Sequence, residues 1–326
     1  MRFHYVSRNN STPLPLPHCC FRLVMLLILV SPAAVLGESA AQPKRLALSD
    51  GFNNRDLSIS PDGTMLATTL MAPRNTFSAI LLYANTSGSW QDAAVAPFSG
   101  RFSDIEPMFS PDGKRLYFAS KRPHLNNKGD NWDIWRVSFS NGTFGEPEVL
   151  PEPVNTENDE FYPTVTLDDV LYFTSARPGS LGNEDIFRAT PHANGYAVEN
   201  AGAGVNSTAW EFNSFVSAED DYILFSSQGR SDDLGGGDLY VSFRNDNGEF
   251  DPARNLGPTI NSSRLDYNPG VYRDVLYFTS ERIDLTAPAA IQLNVEALKA
   301  LKALFGSAGN GMGDLYSVPW QSSSLE

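Results

Sequence analysis

Short apolar segments separated by turn residues run along most of the chain. The clearest lies at residues 109–122, where Leu116-Tyr117-Phe118 follow the turn Pro111-Asp112-Gly113. Proline sets φ, aspartate bonds its own backbone and glycine accepts positive φ, so this combination favours a tight turn. Apolar and aromatic residues on its far side are typical of a half-buried strand. The pattern predicts a β-hairpin.

The same hairpin recurs five times at spacings of 50 to 55 residues. Its second strands fall at residues 66–69, 116–120, 171–175, 223–227 and 276–280. Each unit continues with a third apolar segment, and the first four units also have a short fourth one. A repeat of about this length, with four antiparallel strands in each unit, predicts a β-propeller. We therefore predict an all-β, five-bladed propeller, in which residues 43–48 close the ring by pairing with the last blade.

The repeated segments resemble a known family. Residues 110–122, followed by Trp132-Asp133-Ile134-Trp135, are similar to the WD40-like PD40 repeat found in the C-terminal propeller of bacterial TolB. The resemblance covers roughly residues 43–320 and implies the propeller fold, but a propeller does not fix an activity. We expect an exported PD40 protein without the N-terminal domain of TolB and without an OmpA-like domain.

The N-terminal 41 residues differ from the rest. Arginines precede the apolar run 23–30, which is followed by small residues and is shorter than the ~20 residues of a membrane span. We predict a signal peptide over residues 1–41, no membrane span in the mature form, and a periplasmic or secreted protein. Cys19 and Cys20 are the only cysteines, so residues 42–326, which we expect to form a single propeller domain, carry none.

Charge narrows the classes of partner. The formal net charge is −14, and removal of residues 1–41 makes it more negative. Nucleic acids and anionic lipids attract basic surfaces, so we expect neither as a partner. We expect a monomer that binds a protein, peptide or glycan of the cell envelope.

Polar residues recur at one end of the predicted blades. An acid begins the innermost strand, an arginine follows the second strand, and another acid begins the third. The innermost acids are Asp104, Glu160, Glu211 and Asp266, and the arginines are Arg122, Arg177, Arg230 and Arg282. Antiparallel pairing places all three positions at one end of the blade, so we expect them to be neighbours.

Two interpretations of these residues remain open. They form either a ring at the channel mouth that binds a basic ligand or a cation such as Ca²⁺, or a hydrogen-bonded pin repeated in each blade. The first blade favours the pin, because Asn54, Ala72 and Ala79 occupy the three positions and the charges vanish together. We expect no cofactor and no metal site beyond this Ca²⁺ hypothesis.

One segment interrupts the repeat, at residues 283–312 in the last blade. Asn294 is a candidate helix cap, and an apolar stripe that includes Leu298, Leu301 and Phe305 follows at helical spacing. We predict a short helix on the polar end of the blades. Its stripe either packs on the propeller or docks a partner, and Trp132 in the neighbouring loop is a candidate for the same contact.

No catalytic motif is evident. The sequence has no His-Glu-x-x-His, no Gly-x-Ser-x-Gly and no phosphate-binding glycine loop. A non-catalytic binding module is therefore the first hypothesis. The alternative is a glycoside hydrolase that uses two of the channel-mouth carboxylates, although arginine partners should lower their pKa values and so make them poor general acids.

Overall fold

Five antiparallel sheets form the blades of a propeller in the computed structural model, which describes residues 41–125, 127, 129–284 and 295–322. The predicted signal peptide, apart from its last residue, lies outside the described residues. The strands of the first two blades are β2 (Asn53–Ile59), β3 (Met65–Met71), β4 (Ser78–Thr86), β5 (Ser89–Trp90) and β6 (Ala94–Val95), then β7 (Asp104–Phe109), β8 (Arg115–Ser120), β9 (Asp133–Ser140), β10 (Thr143–Phe144) and β11 (Glu148–Val149).

The other three blades have four strands each. They comprise β12 (Glu160–Val165), β13 (Leu171–Ser175), β14 (Asp185–His192) and β15 (Gly195–Asn200), then β16 (Trp210–Val216), β17 (Tyr222–Gln228), β18 (Asp238–Phe243) and β19 (Arg254–Asn255), and finally β20 (Asp266–Val271), β21 (Val275–Ser280), β22 (Asp314–Pro319) and β1 (Lys44–Arg45). The prediction of a five-bladed all-β propeller is confirmed.

The last blade takes its outer strand from the other end of the described chain. Lys44 pairs with Ser317 and Arg45 with Tyr316, and the Leu46 amide donates to the Leu315 carbonyl at 2.8 Å. This is the place where the sequence predicts the closing strand. A covered edge gives no template for pairing with another chain.

The apolar core lies between neighbouring blades. Tyr172 and Ile186 of the third blade, for example, pack against Ile223 and Phe225 of the fourth, and all four are fully buried. Two helical pieces interrupt the sheets, the 3₁₀ turn Pro73–Asn75 and the helix α1 (Val295–Phe305). The predicted helix is therefore present between β21 and β22.

Every innermost strand contains a bulge. Its register with the second strand shifts between residues 55 and 58, and again at the matching place in the other four blades. The extra residue has positive φ in each case: Asp56, Glu106, Tyr162, Asn213 and Asn268. Aspartate and asparagine tolerate this left-handed conformation better than most residues, whereas Glu106 and Tyr162 are exceptions.

Candidate functional site

Each predicted acid and arginine meet as a buried ion pair. All four acids are the first or second residue of an innermost strand and have no exposed surface. The N···O distances are 2.9 Å for Arg122–Asp104, 2.7 Å for Arg177–Glu160, 2.8 Å for Arg230–Glu211 and 2.8 Å for Arg282–Asp266. The structure therefore brings together all eight residues of the predicted ring, in four pairs.

Each arginine has further partners that hold it in place. In the third blade, Arg177 donates to the Pro153 carbonyl at 2.7 Å and lies over the rings of Phe173 and Phe187, at 4.7 and 5.3 Å. Equivalent stacking occurs for the arginines of the second, fourth and fifth blades. Stacking of this kind stabilises a guanidinium group away from water.

The Glu160 carboxylate is fully occupied. Besides Arg177, it accepts hydrogen bonds from the Thr156 amide and hydroxyl, at 2.9 and 2.7 Å, and from the Ser175 hydroxyl at 3.1 Å. Burial nevertheless raises the pKa of Glu160, because desolvation outweighs these bonds and the arginine. Arg177 does lower the pKa of Glu160, as expected, but burial has the larger effect and leaves this pKa above its ordinary value. The geometry still leaves the carboxyl group no free face toward a substrate.

The second set of acids does not join these pairs. Asp133, Asp185, Asp238 and Asp314 begin the third strands, but the described arginines after the second strands do not bond them. Asp185 instead accepts from the amides of Leu181 and Gly182, at 2.7 and 3.0 Å, and from Asn200 at 2.6 Å. The registers place both acids of a blade at the same end of adjacent strands, as expected, but the second acid bonds the loop before its own strand and not the arginine.

The first blade lacks the ion pair, as the sequence indicates. Asn54 occupies the acid position and donates to Asp50 at 2.7 Å. No arginine of the described chain stacks at this place, and the third strand begins beside Ala79. A hydrogen bond between Asn54 and Asp50, without an arginine, thus replaces the pin on one side of the ring.

A partly apolar cleft of about 460 Å³ lies beside that first blade. It is lined by Phe52, Met71 and Pro73 from the first blade and by Phe305 and Met312 from the insertion. Phe305 is 62% exposed and Phe52 is 60% exposed. Of the three predicted docking residues on the helix, Phe305 lines this cleft, while the side chains of Leu298 and Leu301 lie outside the described residues.

Two tryptophans lie at the same end of the blades, the docking candidate Trp132 and, in addition, Trp210. Trp132 is half-buried, 5.2 Å from the Lys121 ammonium group and 6.1 Å from the Phe161 ring. Trp210 begins its innermost strand and is 45% exposed. Neither residue is a core tryptophan.

Sequence reasoning missed the residues that meet at the centre of the ring. Arg55 donates to the bulge residue Asp56 at 2.8 Å, to Glu106 at 3.3 Å and to the Tyr162 hydroxyl at 3.0 Å. Asn268 donates to Asp56 at 2.8 Å. Bulge residues from four blades therefore form one buried polar network. The sequence does contain a signal for this network. Each bulge residue lies two positions after the acid position of its blade, and four of the five bulge residues are Asp, Glu or Asn.

Burial and charge set the protonation of this network. Burial alone would lower the pKa of Arg55, but Asp56, Tyr162, Tyr267 and Glu106 together raise it well above its usual value. Burial, reinforced by Asp56, raises the pKa of Glu106 well above the usual range. One arginine thus faces two carboxyl groups, and burial favours the protonated form of Glu106.

In four of the five blades the bulge amide donates to a side chain of the preceding blade. Thr69 accepts from the Glu106 amide at 3.0 Å, and Thr279 accepts from the Asp56 amide at 3.3 Å. The second blade has Ala119 at this position, and the Glu106 carboxylate accepts from the Tyr162 amide instead, at 2.8 Å.

Asn213 differs from the other bulge residues. Its side chain is fully buried, and neither its oxygen nor its nitrogen has a hydrogen-bond partner among the described residues. Buried amides are almost always hydrogen-bonded, so this one requires a partner such as water.

The fold and the polar core define a five-bladed propeller with buried acid–arginine pins. No family model and no curated protein matches the chain. Similar solved structures include TolB from Acinetobacter baumannii, at 15% identity and a TM-score of 0.42, over 83% of this chain and 55% of that one. They also include a putative TolB from Agrobacterium tumefaciens, at 14% identity and a TM-score of 0.49, over 83% of this chain and 91% of that one.

A third similar structure, a complex of BT0996 with RGII, has 8% identity and a TM-score of 0.52, over 87% of this protein and 93% of the other. Peptidases and an arabinofuranosidase are also among the similar structures. The propeller fold that the resemblance to TolB implies is confirmed by the five antiparallel sheets. Likeness at such low identity shows nothing further about function.

Across the described part of the chain, we find no helix with the length and hydrophobicity needed to cross a membrane.

Proposed function

We propose that this protein is an exported, non-catalytic binding module of the cell envelope, periplasmic or secreted, whose partner is a protein or peptide. The observation that carries the proposal is the cleft between the insertion and the first blade. Phe52 and Phe305 expose more than half of their surface there, although both belong to elements anchored on a rigid ring. Exposed aromatic side chains beside a concave surface are typical of protein-binding sites.

Anchoring of the insertion supports the same role. The Asn310 amide group donates to the Gly51 carbonyl at 3.2 Å and to the Phe305 carbonyl at 2.9 Å, and the Asp284 amide donates to Gly309 at 3.1 Å. These bonds fix the end of α1 against the first blade. A positioned aromatic group loses less conformational entropy on binding than a mobile one.

Position explains why the cleft lies at this blade. In the other four blades the same end is occupied by a stacked arginine and its acid. The first blade has Ala72 there, which leaves space and removes charge. An apolar partner side chain would meet no buried ion pair at this point, so it would cost less to dock here than elsewhere.

Glycans remain a second class of partner, since Trp132 and Trp210 offer partly exposed rings on the same end. A Ca²⁺ ion at the acid–arginine ring is the further hypothesis from the sequence. Every carboxylate of that ring already pairs with an arginine, so the cation would have to compete with it.

The test replaces the two exposed phenylalanines that line the cleft. A Phe52→Ser/Phe305→Ser variant and the wild type are immobilised and exposed to solubilised envelope proteins, and captured proteins are identified. We expect a protein that the wild type retains and the variant loses, with no change in thermal unfolding. The same captured set on both surfaces would contradict the proposal.

A further inference from the structure

The other end of the central channel holds a second cavity, of about 310 Å³. It lies where the innermost strands finish, so five residues of strand, about 17 Å, separate it from the acid–arginine pairs. All five blades contribute to its wall, which includes Ile59, Met108, Val165, Phe215 and Val271. This cavity is distinct from the cleft beside α1.

One blade departs from the repeat at the rim of this cavity. In the first four blades the turn after the innermost strand begins with a hydroxyl residue and spans three or four further residues: Ser60, Ser110, Thr166 and Ser217. In the fifth blade Tyr272 takes that position, and its amide bonds the Val275 carbonyl across only two residues.

The shortened turn is strained. Arg273 and Asp274 have φ values of 45° and 41°, in the left-handed region. Aspartate tolerates this conformation better than most residues, but arginine does not favour it. Glycine or asparagine would fill a two-residue turn at lower cost. Strain of this kind persists where the side chains have a role that a cheaper turn residue could not fill.

The turn places one cation at the cavity. Arg273 lines it, is exposed and forms no ion pair with any described residue, its neighbour Asp274 included. The guanidinium group stacks on Tyr272 at 5.0 Å, and the Tyr272 hydroxyl lies so close to Gly63 that a Cβ there would come within 2.3 Å of it. Both side chains are thus held at the rim.

Several acids at this end already have partners. Asp62 accepts from Ser60 at 2.6 Å and Asp112 from Ser110 at 2.6 Å, while Asp220 pairs with Arg244 at 2.9 Å. Asp169 pairs with Arg115 at 2.8 Å. Arg273 therefore offers an unused positive charge beside a mostly apolar wall.

We propose that this cavity binds a small amphipathic carboxylate, with its apolar group among Met108, Val165 and Phe215 and its carboxylate on Arg273. The volume lies at the lower end of the range for small-ligand sites, roughly 300–1,000 Å³, and suits one aromatic or branched group. Arginine binds carboxylates through paired, charge-assisted hydrogen bonds. The ligand is either a free organic acid or the apolar C-terminal residue of a peptide.

The experiment measures affinity by titration calorimetry with phenylacetate, phenylacetamide and N-acetyl-alanyl-phenylalanine. We expect phenylacetate to bind the wild type at least about tenfold more tightly than its amide, as for loss of one charged hydrogen bond. Arg273→Gln should weaken phenylacetate by a similar factor and leave the amide unchanged. Arg264→Gln, an exposed arginine at the opposite end of the same blade, is the matched control and should change nothing.

The position of binding is read independently of any variant. With methionine methyl groups labelled for NMR, phenylacetate should shift the Met108 signal in the cavity and not the Met312 signal in the cleft beside α1. Ala218→Trp, which fills the mouth, should abolish binding of all three probes. Tighter binding of the dipeptide than of phenylacetate would identify a peptide C-terminus as the source, and equal or weaker binding a free acid.

Equal affinity for the acid and the amide, an unchanged affinity in Arg273→Gln, or no Met108 shift at millimolar probe would each overturn the proposal. None of these outcomes bears on the cleft beside α1, whose test uses Phe52 and Phe305.

Discussion

The Nη2 atom of Arg177 lies 2.7 Å from Oε1 of Glu160, and less than a tenth of either side chain is exposed. Removal of one partner from such a pair leaves a buried charge without compensation. For Arg177→Met we expect the free energy of unfolding to fall by about 3 to 5 kcal/mol, measured with urea. The double variant Arg177→Met/Glu160→Gln should recover most of the lost free energy of unfolding.

The control for this experiment is an exposed pair. Arg188 lies 3.1 Å from Glu199, whose side chain is 66% exposed. Arg188→Met should cost no more than about 1 kcal/mol. Similar losses for the two arginines would contradict a pinning role for Arg177.

The raised pKa of Glu106 predicts an unusual pH dependence. Because the folded protein holds this proton more tightly than the unfolded chain, the contribution of Glu106 to stability is largest at low pH. It declines as pH rises from the ordinary glutamate pKa towards the raised one. Glu106→Gln cannot lose this proton, so its free energy of unfolding should fall less than that of the wild type between pH 5 and pH 8.

Urea unfolding at several pH values measures this difference. Glu148→Gln is the control, because the Glu148 side chain is 67% exposed, and its curve should run parallel to that of the wild type. Parallel curves for Glu106→Gln as well would show that the proton is not held at this residue.

Matching positions in two blades test the hydrogen bonds to the bulges. Thr69 accepts from the Glu106 amide, whereas the equivalent hydroxyl of Thr174 has no partner among the described residues. Both side chains are fully buried. Thr69→Val should therefore cost about 1 to 3 kcal/mol, and Thr174→Val should be neutral or stabilising. Thermal and urea unfolding of the two variants measure these changes in stability. Equal losses would contradict the hydrogen bond assigned to the Thr69 hydroxyl.

The cleft beside α1 predicts loss of binding without loss of stability. Phe305→Ser removes a mostly exposed ring, so the unfolding midpoint should stay within about a degree or two while partner capture falls at least tenfold. Leu181→Ser changes a residue that is 52% exposed on the third blade and serves as the control. Equal capture by both variants would place the partner elsewhere.

Asn213 predicts an ordered water in a crystal structure. Its amide oxygen and nitrogen are buried and have no described partner, and a polar site of this kind normally holds water. Density beside both atoms is expected at a resolution that shows solvent. A dry contact with a neighbouring apolar group would contradict it.

The repeat predicted the fold because strand and turn signals recur five times in one order. The ion pairs were predictable in part. Asp104 and Arg122 occupy matching ends of adjacent strands, and antiparallel pairing places them together. The second acid of each blade does not bond the arginine, because it begins the third strand. Asp185, for example, accepts from two amides of the loop before that strand.

The central network escaped prediction for a different reason. A bulge shifts register by one residue, and alternation along a strand does not show on which face the extra residue falls. Glu106 bonds both Arg55 and the Tyr162 amide, and the second of these bonds forms where Ala119, in another strand, offers no hydroxyl. No local pattern records this relationship. The cavity at Arg273 likewise depends on how five blades meet.

The second blade has Ala119 where the other blades have a hydroxyl residue, and this difference has a consequence for how the molecule arose. If the five blades descend from copies of one unit, they are no longer interchangeable. The second blade has lost the hydroxyl that its neighbours offer, and the third depends on the Glu106 side chain in its place. In a shuffled protein with these two blades in exchanged order, the Tyr162 amide would follow the first blade, and would face the Thr69 hydroxyl in place of the Glu106 carboxylate. The order of the blades has become part of the structure.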